Sequence, residues 1–213
     1  MIDACGALIL CGGESRRMGH AKASLRFGDE SLLERVVRQL RGVAAPVVVV
    51  RGANGELPPL PADVELTGDR HPGRGPLEGL AVGLAALAPR VPRAFVVGCD
   101  YPFVVAGYIA RLTALADGHD AAIVRTADRL HPLAGVYATA LGRRADELLA
   151  AGQNRLLDLL AACRVRPVEP AEVADVDPQL ASLLNVNTPA EYAAALASAG
   201  FPPLESPPAA APL

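Results

Sequence analysis

Short apolar runs alternate with helical patterns along most of the chain. Residues 5–11 and 46–50 are continuous apolar runs bounded by Gly, Pro or polar residues. Runs of this kind are typical of strands that are buried on both faces of a sheet. The other predicted strands are residues 94–99, which form a similar run, and the shorter segments 64–66, 121–124 and 133–137.

Helical periodicity and helix-start signals lie between these runs. Ser31 and Glu34 have the spacing of a capping box, the apolar residues of 32–40 share one face, and Gly42 follows as a stop. Thr188 and Glu191 predict a second capping box, with a last helix running to about residue 198. Further helices are predicted at about 77–88, from 108 to near 118, from 141 to 149, and at 156–160.

This alternation predicts a Rossmann-like, three-layer α/β/α fold with a mostly parallel sheet. Residues 1–199 are predicted to form a single domain. Residues 200–213 contain five prolines, and we expect this tail to be disordered. Ligands of open parallel sheets bind beyond the carboxyl ends of the strands, so the loops that follow the strands are where we expect the chemistry.

Composition narrows the function classes. The chain has 213 residues, of which 51% are hydrophobic and 20% charged, as in an ordinary globular domain. The net charge of -3 gives no overall attraction to nucleic acid or to an anionic membrane. There is no apolar run of 18 residues, no basic signal-peptide start and no C-x-x-C pair among the four cysteines. We therefore expect a soluble cytoplasmic protein with neither nucleic acid nor membrane as a partner.

The segment 10–22, LCGGESRRMGHAK, contains the strongest chemical signal. Gly12 and Gly13 allow the backbone to approach an anion closely, and the N–H groups of such a loop can form an anion nest. Arg17 and Lys22 add positive charge. These features suit a triphosphate, although the spacing is neither a Walker loop nor G-x-G-x-x-G. The alternative is a basic, glycine-rich surface turn.

Asp100 follows the apolar run 94–99 directly. A carboxylate at the end of a buried strand is costly unless it is paired or bound to a metal. Magnesium prefers carboxylate and phosphate oxygens as ligands. Asp100 is therefore a candidate Mg²⁺ ligand that would bridge to a triphosphate. The alternative is that Asp100 caps the next turn together with Pro102.

The pattern L-x-G-G-x-S-x-R-M-G-x-x-K resembles the signature loop of nucleotidyltransferases that transfer NMP from an NTP. More narrowly, the chain resembles the molybdenum cofactor guanylyltransferase family. Four further segments agree with that family in the same order: GPLEG at 75–79, CDYPF at 99–103, HPLAGVY at 131–137 and NVNTP at 185–189. The resemblance covers about residues 5–197, which is nearly the whole predicted domain.

The resemblance implies a reaction and a set of site residues. The terminal phosphate of molybdopterin would attack the α-phosphorus of GTP, and pyrophosphate would leave. Lys22, Arg17 and Asp100 are implied as catalytic, with Mg²⁺ as the cofactor on Asp100. Transient contacts with other proteins of the molybdenum cofactor pathway are also implied. The implied nucleotide or cofactor contacts are Leu10, Cys11, Gly12, Gly13, Lys22, Asp69, Gly79, Asp100, Asn185 and Asn187.

Several alternatives stay open. Asp69 either contacts the nucleotide itself or lies one residue away from the residue that does. The alternative is that Asp69 is a solvated turn residue. Asn185 and Asn187 flank Val186 at the end of a predicted last strand, where alternation places both on one face. Asn187 could instead simply support the following helix cap. Arg51 stands where the family often carries Asn, so the base of the nucleotide substrate is less certain than the reaction.

The alternative functions are a cytidylyl- or other nucleotidyltransferase of the same superfamily, and a nucleotide-binding accessory protein without turnover.

Overall fold

The computed structural model describes residues 2, 4–12, 22–52, 57–71, 73–127 and 129–202. Within these ranges the strands are β1 (Cys5–Cys11), β2 (Arg26–Phe27), β3 (Glu30–Ser31), β4 (Val47–Arg51), β5 (Val64–Gly68), β6 (Arg93–Gly98), β7 (Ala121–Thr126), β8 (Arg129–Leu130), β9 (Ala134–Ala138) and β10 (Val165–Val168). The helices are α1 (Leu32–Arg41), α2 (Pro76–Leu87), α3 (Ala106–Leu115), α4 (Leu141–Ala150), α5 (Leu156–Ala161) and α6 (Pro189–Ser198).

A mixed sheet lies at the centre of the molecule. Its strand order is β10-β7-β9-β6-β1-β4-β5, and β8 pairs with β7 beside this path. β9 runs antiparallel to both β6 and β7, whereas the pairs β6–β1, β1–β4, β4–β5 and β10–β7 are parallel. β2 and β3 form a separate antiparallel hairpin. The predicted mostly parallel sheet is therefore confirmed, with β9 inserted antiparallel near its middle and β8 antiparallel beside β7.

Two apolar clusters cover the two faces of this sheet. Along β1, Ala7 and Ile9 enter the cluster that contains residues of α1 and α3. Leu8 and Leu10 enter the other cluster, which contains residues of α2 and α4. Because side chains alternate across a strand, a strand covered on both faces needs apolar residues at every position. This explains why β1 is a continuous apolar run in the sequence.

A third apolar cluster joins the β2–β3 hairpin to the C-terminal helix α6. Phe27 lies edge-on to Phe103 and Phe201, with ring centroids 5.9 and 5.5 Å apart. Phe201 thus packs two residues beyond the predicted domain boundary at 199. Residues 203–213 of the predicted tail lie outside the described ranges, so the division into a domain and a disordered tail stays a prediction.

Most predicted elements are confirmed to within a few residues at each end. Both predicted capping boxes form: the Ser31 side chain accepts the N–H of Glu34, and the Thr188 side chain accepts the N–H of Glu191. The short elements β2, β3, β8 and β10 were missed, since two to four residues are too few for a periodic signal. Among the described helices, none is long and apolar enough to cross a bilayer.

The prediction that a last strand ends at Asn185 and Asn187 was wrong. A short 3-10 turn, Ala181–Leu183, is followed by irregular chain at 184–187. The N–H of Val186 donates to the backbone oxygen of Asp100 at 2.9 Å. Val186 is buried as a strand residue would be, but its backbone pairs with the loop after β6 rather than with a strand. One buried residue between two partly exposed ones gives the same alternating pattern as a strand, which explains the wrong prediction.

Candidate functional site

Neighbouring parallel strands bring their following loops to one edge of the sheet. β1 lies between β4 and β6, so the loops after these three strands leave the sheet side by side. The N–H of Cys99 donates to the backbone oxygen of Leu10 at 3.1 Å, which holds the end of β6 against the end of β1. Gly12, Gly52 and Asp100 therefore emerge at the same edge, as expected for ligand sites of parallel sheets.

Lys22, Asp100 and Asn187 meet in one polar cluster at this edge. The Nζ of Lys22 donates to Oδ2 of Asp100 and to Oδ1 of Asn187, at 2.7 Å in both cases. The Lys22 and Asp100 side chains are only 19% and 15% exposed, so water screens their charges less than at an open surface. The meeting of Lys22 and Asp100 in one site is the arrangement that the sequence predicted. Their chemical roles stay a prediction.

The start of α6 positions Asn187. Its N–H donates to Oε2 of Glu191 at 2.7 Å, and the N–H of Thr188 donates to the same oxygen at 2.9 Å. These two hydrogen bonds help to hold the pKa of Glu191 below its usual range, because they favour the ionised carboxylate. Asn187 thus contributes its backbone to the helix cap and its side chain to the polar cluster. Asn185 lies half-buried two residues earlier on the same irregular segment.

Lys22 is chemically distinctive because it is the chain's sole lysine among 20 lysine and arginine residues. It opens a short 3-10 turn, Lys22–Ser24, that leads into β2. A lysine ammonium is a compact point charge, whereas an arginine guanidinium is a planar fork. The single basic residue of the chain that is lysine rather than arginine is therefore the one that contacts Asp100.

A second group of residues lies at the same edge, beside β4 and β5. The N–H of Asp69 donates to the backbone oxygen of Arg51 at 3.0 Å, which places Asp69 directly after β5. Its carboxylate oxygens would lie 3.4 Å from a Cβ built on Gly79 and 3.8 Å from one built on Gly52. The Cβ on Gly52 would also come within 2.9 Å of the Cα of Gly12. These glycines leave space beside Asp69 that a larger residue would fill.

Two carboxylates lie close together on this side of the site. The pKa of Asp69 is raised, first by burial and then by the nearby carboxylate of Glu78. The Glu78 side chain is 1% exposed, and its Oε1 lies 3.4 Å from Nε of Arg70 and 3.4 Å from Nδ1 of His71. Glu78 was not predicted as a neighbour of the site. The available signal was a carboxylate within the apolar first turn of a helix, where the helix dipole favours an anion.

Some of the remaining predicted site residues lie within the described ranges and others do not. Leu10 and Cys11 end β1, and both are 7% exposed. Gly13 and Arg17 lie outside the described residues, so their contacts stay predictions. Arg51 ends β4 with an exposed side chain, opposite Cys11 on β1.

The donor set at Asp100 suits Mg²⁺. Within the described ranges, no group of three or more His, Cys, Asp or Glu residues is placed to hold a metal ion. Asp100 offers one carboxylate. The amide oxygen of Asn187 is close to it, because both accept a hydrogen bond from Lys22. Magnesium is usually held by one or two carboxylates together with phosphate oxygens and waters, rather than by an all-protein cage. These residues therefore fit magnesium delivered with a polyphosphate.

Comparison with known proteins gives a consistent result. Residues 7–168 match the family described as the MobA-like NTP transferase domain. The chain is 33% identical over 193 residues to a probable molybdenum cofactor guanylyltransferase from Pelotomaculum thermopropionicum, covering 90% of this chain and 91% of that protein. It is 40% identical over 159 residues to a probable molybdenum cofactor guanylyltransferase from Mycobacterium tuberculosis, covering 73% and 78% of the two chains.

The fold is also similar to a solved structure. The crystal structure of molybdopterin-guanine dinucleotide biosynthesis protein A from Archaeoglobus fulgidus aligns with a TM-score of 0.76 and 24% sequence identity. The alignment covers 92% of this chain and 98% of that one. This similarity confirms the predicted fold class.

Proposed function

The chain belongs to the MobA-like NTP transferase family, and from that membership we propose that it is a molybdenum cofactor guanylyltransferase. It transfers GMP from GTP to molybdopterin, releases pyrophosphate and forms a molybdopterin guanine dinucleotide. The observation that carries the proposal is the cluster in which Nζ of Lys22 lies 2.7 Å from Asp100 and from Asn187. A metal-bound polyphosphate needs a carboxylate to hold the metal and a cation beside its phosphates. Both lie here at the carboxyl edge of the parallel strands.

The sheet geometry supports a direction for the nucleotide. Asp100 follows β6 and Asp69 follows β5, with β1 and β4 between them. Three strand spacings correspond to about 14 Å, a span that suits an extended nucleoside triphosphate. We place the triphosphate at Lys22 and Asp100, and the base and ribose beside Asp69 and Gly79. The contacts of Gly13, Arg17 and Asn185 belong to the same proposal.

The chemical step needs positioning and charge neutralisation more than covalent help. An oxygen of the acceptor phosphate forms a bond to the α-phosphorus of GTP. The bond from the α-phosphorus to the oxygen that bridges to the β-phosphate breaks, and pyrophosphate leaves with that electron pair. Lys22 stabilises the charge that builds on the phosphoryl oxygens. A phosphate nucleophile is ionised at neutral pH, so the site needs no general base.

Asp100 would hold the magnesium ion, and Asn187 would orient a water or phosphate oxygen beside it. When bound, magnesium neutralises phosphate charge and polarises the phosphoryl group. The Lys22 ammonium donates a hydrogen bond to Oδ2 of Asp100 and to Oδ1 of Asn187, so it holds the carboxylate and the amide together at the proposed polyphosphate site. Asp100 and Asn187 are thereby oriented before the nucleotide enters.

The proposal also includes partners and location. GTP and molybdopterin are the small-molecule partners, and other proteins of molybdenum cofactor biosynthesis are transient ones. The net charge of -3 supports small anionic substrates held in one local site, rather than a nucleic acid bound across a basic surface. The proposed location is the cytoplasm.

The test is pyrophosphate release from GTP, CTP, ATP and UTP in turn, each with Mg²⁺ and molybdopterin. We expect release with GTP, together with a product whose mass equals molybdopterin plus GMP. Faster release with CTP would replace the guanylyl assignment with a cytidylyl one, a distinction that matters because of Arg51. Tight GTP binding without release from any nucleotide would identify a non-catalytic nucleotide-binding protein instead.

A further inference from the structure

Cys11 and Cys99 form a pair of neighbouring thiols beneath the proposed site. β1 and β6 run parallel with Leu10 opposite Gly98, so Cys11 and Cys99 are the next residues along each chain. The hydrogen bond from Cys99 N–H to the Leu10 oxygen continues the pairing past the last strand position of β6. Both side chains enter the same apolar cluster, and the Cys99 thiol lies close enough to raise the pKa of the Cys11 thiol.

The spacing is close to that of a disulfide. Adjacent strands lie about 4.8 Å apart, and residues joined by a disulfide have Cα atoms about 4.4–6.8 Å apart. Cys11 and Cys99 are each 7% exposed, whereas Cys5 is 0% exposed. Cys5 begins β1 and Cys11 ends it, about 20 Å away at the usual rise per residue of a strand.

We propose that Cys11 and Cys99 are a redox modification site, at which a peroxide forms an intramolecular disulfide that reversibly stops nucleotidyl transfer. One thiolate attacks an oxygen of hydrogen peroxide, the O–O bond breaks, and a sulfenic acid and the first water form. The second thiol then attacks the sulfenic sulfur, and the second water leaves as the S–S bond forms. Two thiols lose two electrons and two protons in total, and peroxide is reduced to two waters.

The new bond would displace groups that contact the substrate. Cys11 directly precedes Gly12, and Cys99 directly precedes Asp100. Closing the pair replaces a non-bonded contact between the two sulfurs with a covalent bond, so both side chains and the residues that follow them shift. A misplacement of about 1 Å in a site can lower a rate by about 100-fold. This loss of activity rests on the proposed function, whereas formation of the disulfide does not.

The environment of the pair affects how fast it reacts. The hydrogen bond to Cys99 and burial raise the pKa of the Cys11 thiol well above its usual range. Because the thiolate is the reactive form, we expect oxidation to be slow and to require peroxide in excess over protein.

The experiment treats the folded full chain with hydrogen peroxide, removes the peroxide, unfolds the chain in denaturant to alkylate every remaining thiol, and maps cross-linked peptides by mass spectrometry without reduction. We expect a peptide pair joining Cys11 to Cys99, with Cys5 and Cys163 alkylated. Pyrophosphate release should fall by about 10–100-fold and return on treatment with dithiothreitol. The Cys99→Ala variant should retain the activity of the reduced protein and lose its sensitivity to peroxide, whereas Cys5→Ala and Cys163→Ala should remain sensitive.

Four alkylated thiols after oxidation, or a disulfide that excludes Cys11 or Cys99, would overturn the inference. So would a Cys11–Cys99 disulfide that leaves activity unchanged, or inactivation of Cys99→Ala to the same extent as the wild type. If Cys99→Ala does not fold, the peptide map of the wild-type protein decides. If the reduced wild-type chain releases no pyrophosphate, the proposed function fails, and the peptide map still tests the modification site.

Discussion

At the scale of single residues, the proposed chemistry depends on one partly buried charge contact. Lys22 lies against Asp100 and Asn187, and its side chain is only 19% exposed. Charges in such a position interact more strongly with a substrate phosphate than they would in open solvent. Removing one preorganised electrostatic contact of this kind typically costs about 10²–10³ in rate.

Lys22→Ala and Asp100→Ala are therefore each expected to lower kcat for GMP transfer by about 10²–10³-fold. Pyrophosphate release measures the rate, and circular dichroism melting checks the fold. The exposed ion pair of Arg41 and Asp63 provides matched controls, since Arg41→Ala and Asp63→Ala remove the same charges far from substrate. Turnover near that of the wild type in either site variant, with folding intact, would reject the assigned role.

Asp69 gives a pH-dependent prediction. Its raised pKa means that the folded chain binds this proton more tightly than the unfolded chain. The contribution to stability is complete below the ordinary pKa of 3.8 and is lost as pH rises through the raised value. At pH 7 the ionised carboxylate therefore destabilises the fold, and Asp69→Asn should melt about 1–3 °C higher than the wild type.

The difference in Tm should shrink toward zero as pH falls to 4, and the exposed Asp117→Asn variant controls for the loss of one surface carboxylate at each pH. GTP binding measured by calorimetry should weaken by about 10–100-fold in Asp69→Asn, because a charge-assisted hydrogen bond is lost. An Asp69→Asn variant that is less stable at pH 7 than at pH 4, relative to the wild type, would contradict this account.

At the scale of secondary-structure elements, glycine allows α2 to lie close to β1. A Cβ on Gly83 would lie 2.1 Å from Cδ1 of Leu8, and Leu8 is completely buried. The same helix carries Glu78 and Gly79 in its first turns, beside Asp69. The distance between α2 and β1 therefore also sets the shape of the proposed nucleotide pocket.

Gly83→Ala is expected to lower the free energy of unfolding by about 1–3 kcal/mol through overpacking. Alanine in a helix interior normally gains up to about 1 kcal/mol over glycine, so the sign itself is informative. Gly42→Ala is the control, since Gly42 has a φ of -72° and a Cβ there would lie 3.6 Å from the backbone oxygen of Gln39, an ordinary contact. Urea denaturation measures both. A Gly83→Ala variant with a higher free energy of unfolding would show that Leu8 can move aside without loss of stability.

At the scale of the whole molecule, the C-terminal segment connects the two sides of the polar cluster. α6 begins directly after Asn187 and Thr188 and ends shortly before Phe201. Phe201 packs on Phe27, in the hairpin that follows Lys22, and a Cβ on Gly28 would lie 2.4 Å from its ring. Lys22 and Asn187 are therefore both supported by one apolar cluster, although 165 residues separate them.

A chain ending at residue 199 should be less stable than one ending at 202 by about 1–2 kcal/mol, which corresponds to about 2–8 °C in Tm. Lost burial of the Phe201 ring is the cause. Phe201→Ala in the chain ending at 202 should reproduce the loss, and this variant separates the ring from Gly200 and Pro202. Equal melting of the two chains would show that the contact between Phe201 and Phe27 does not stabilise the domain.

Much of the architecture follows from interactions between residues close in sequence. The apolar run of β1, the capping box of Ser31 with Glu34 and that of Thr188 with Glu191 all involve neighbours along the chain. Such signals can be interpreted without knowing what the rest of the chain does. Asp100, directly after a buried strand, could be named as a candidate site residue for the same reason.

Only the tertiary structure decided which distant segments meet. The antiparallel insertion of β9, the amide of Asn187 on Lys22 and the carboxylate of Glu78 beside Asp69 depend on strand order and helix packing. Local propensity does not encode such pairings, because each one depends on the position of a partner that is distant along the chain. The segment at 184–187 shows the limit: its alternation satisfied a strand pattern, yet its hydrogen-bond partner was a loop carbonyl.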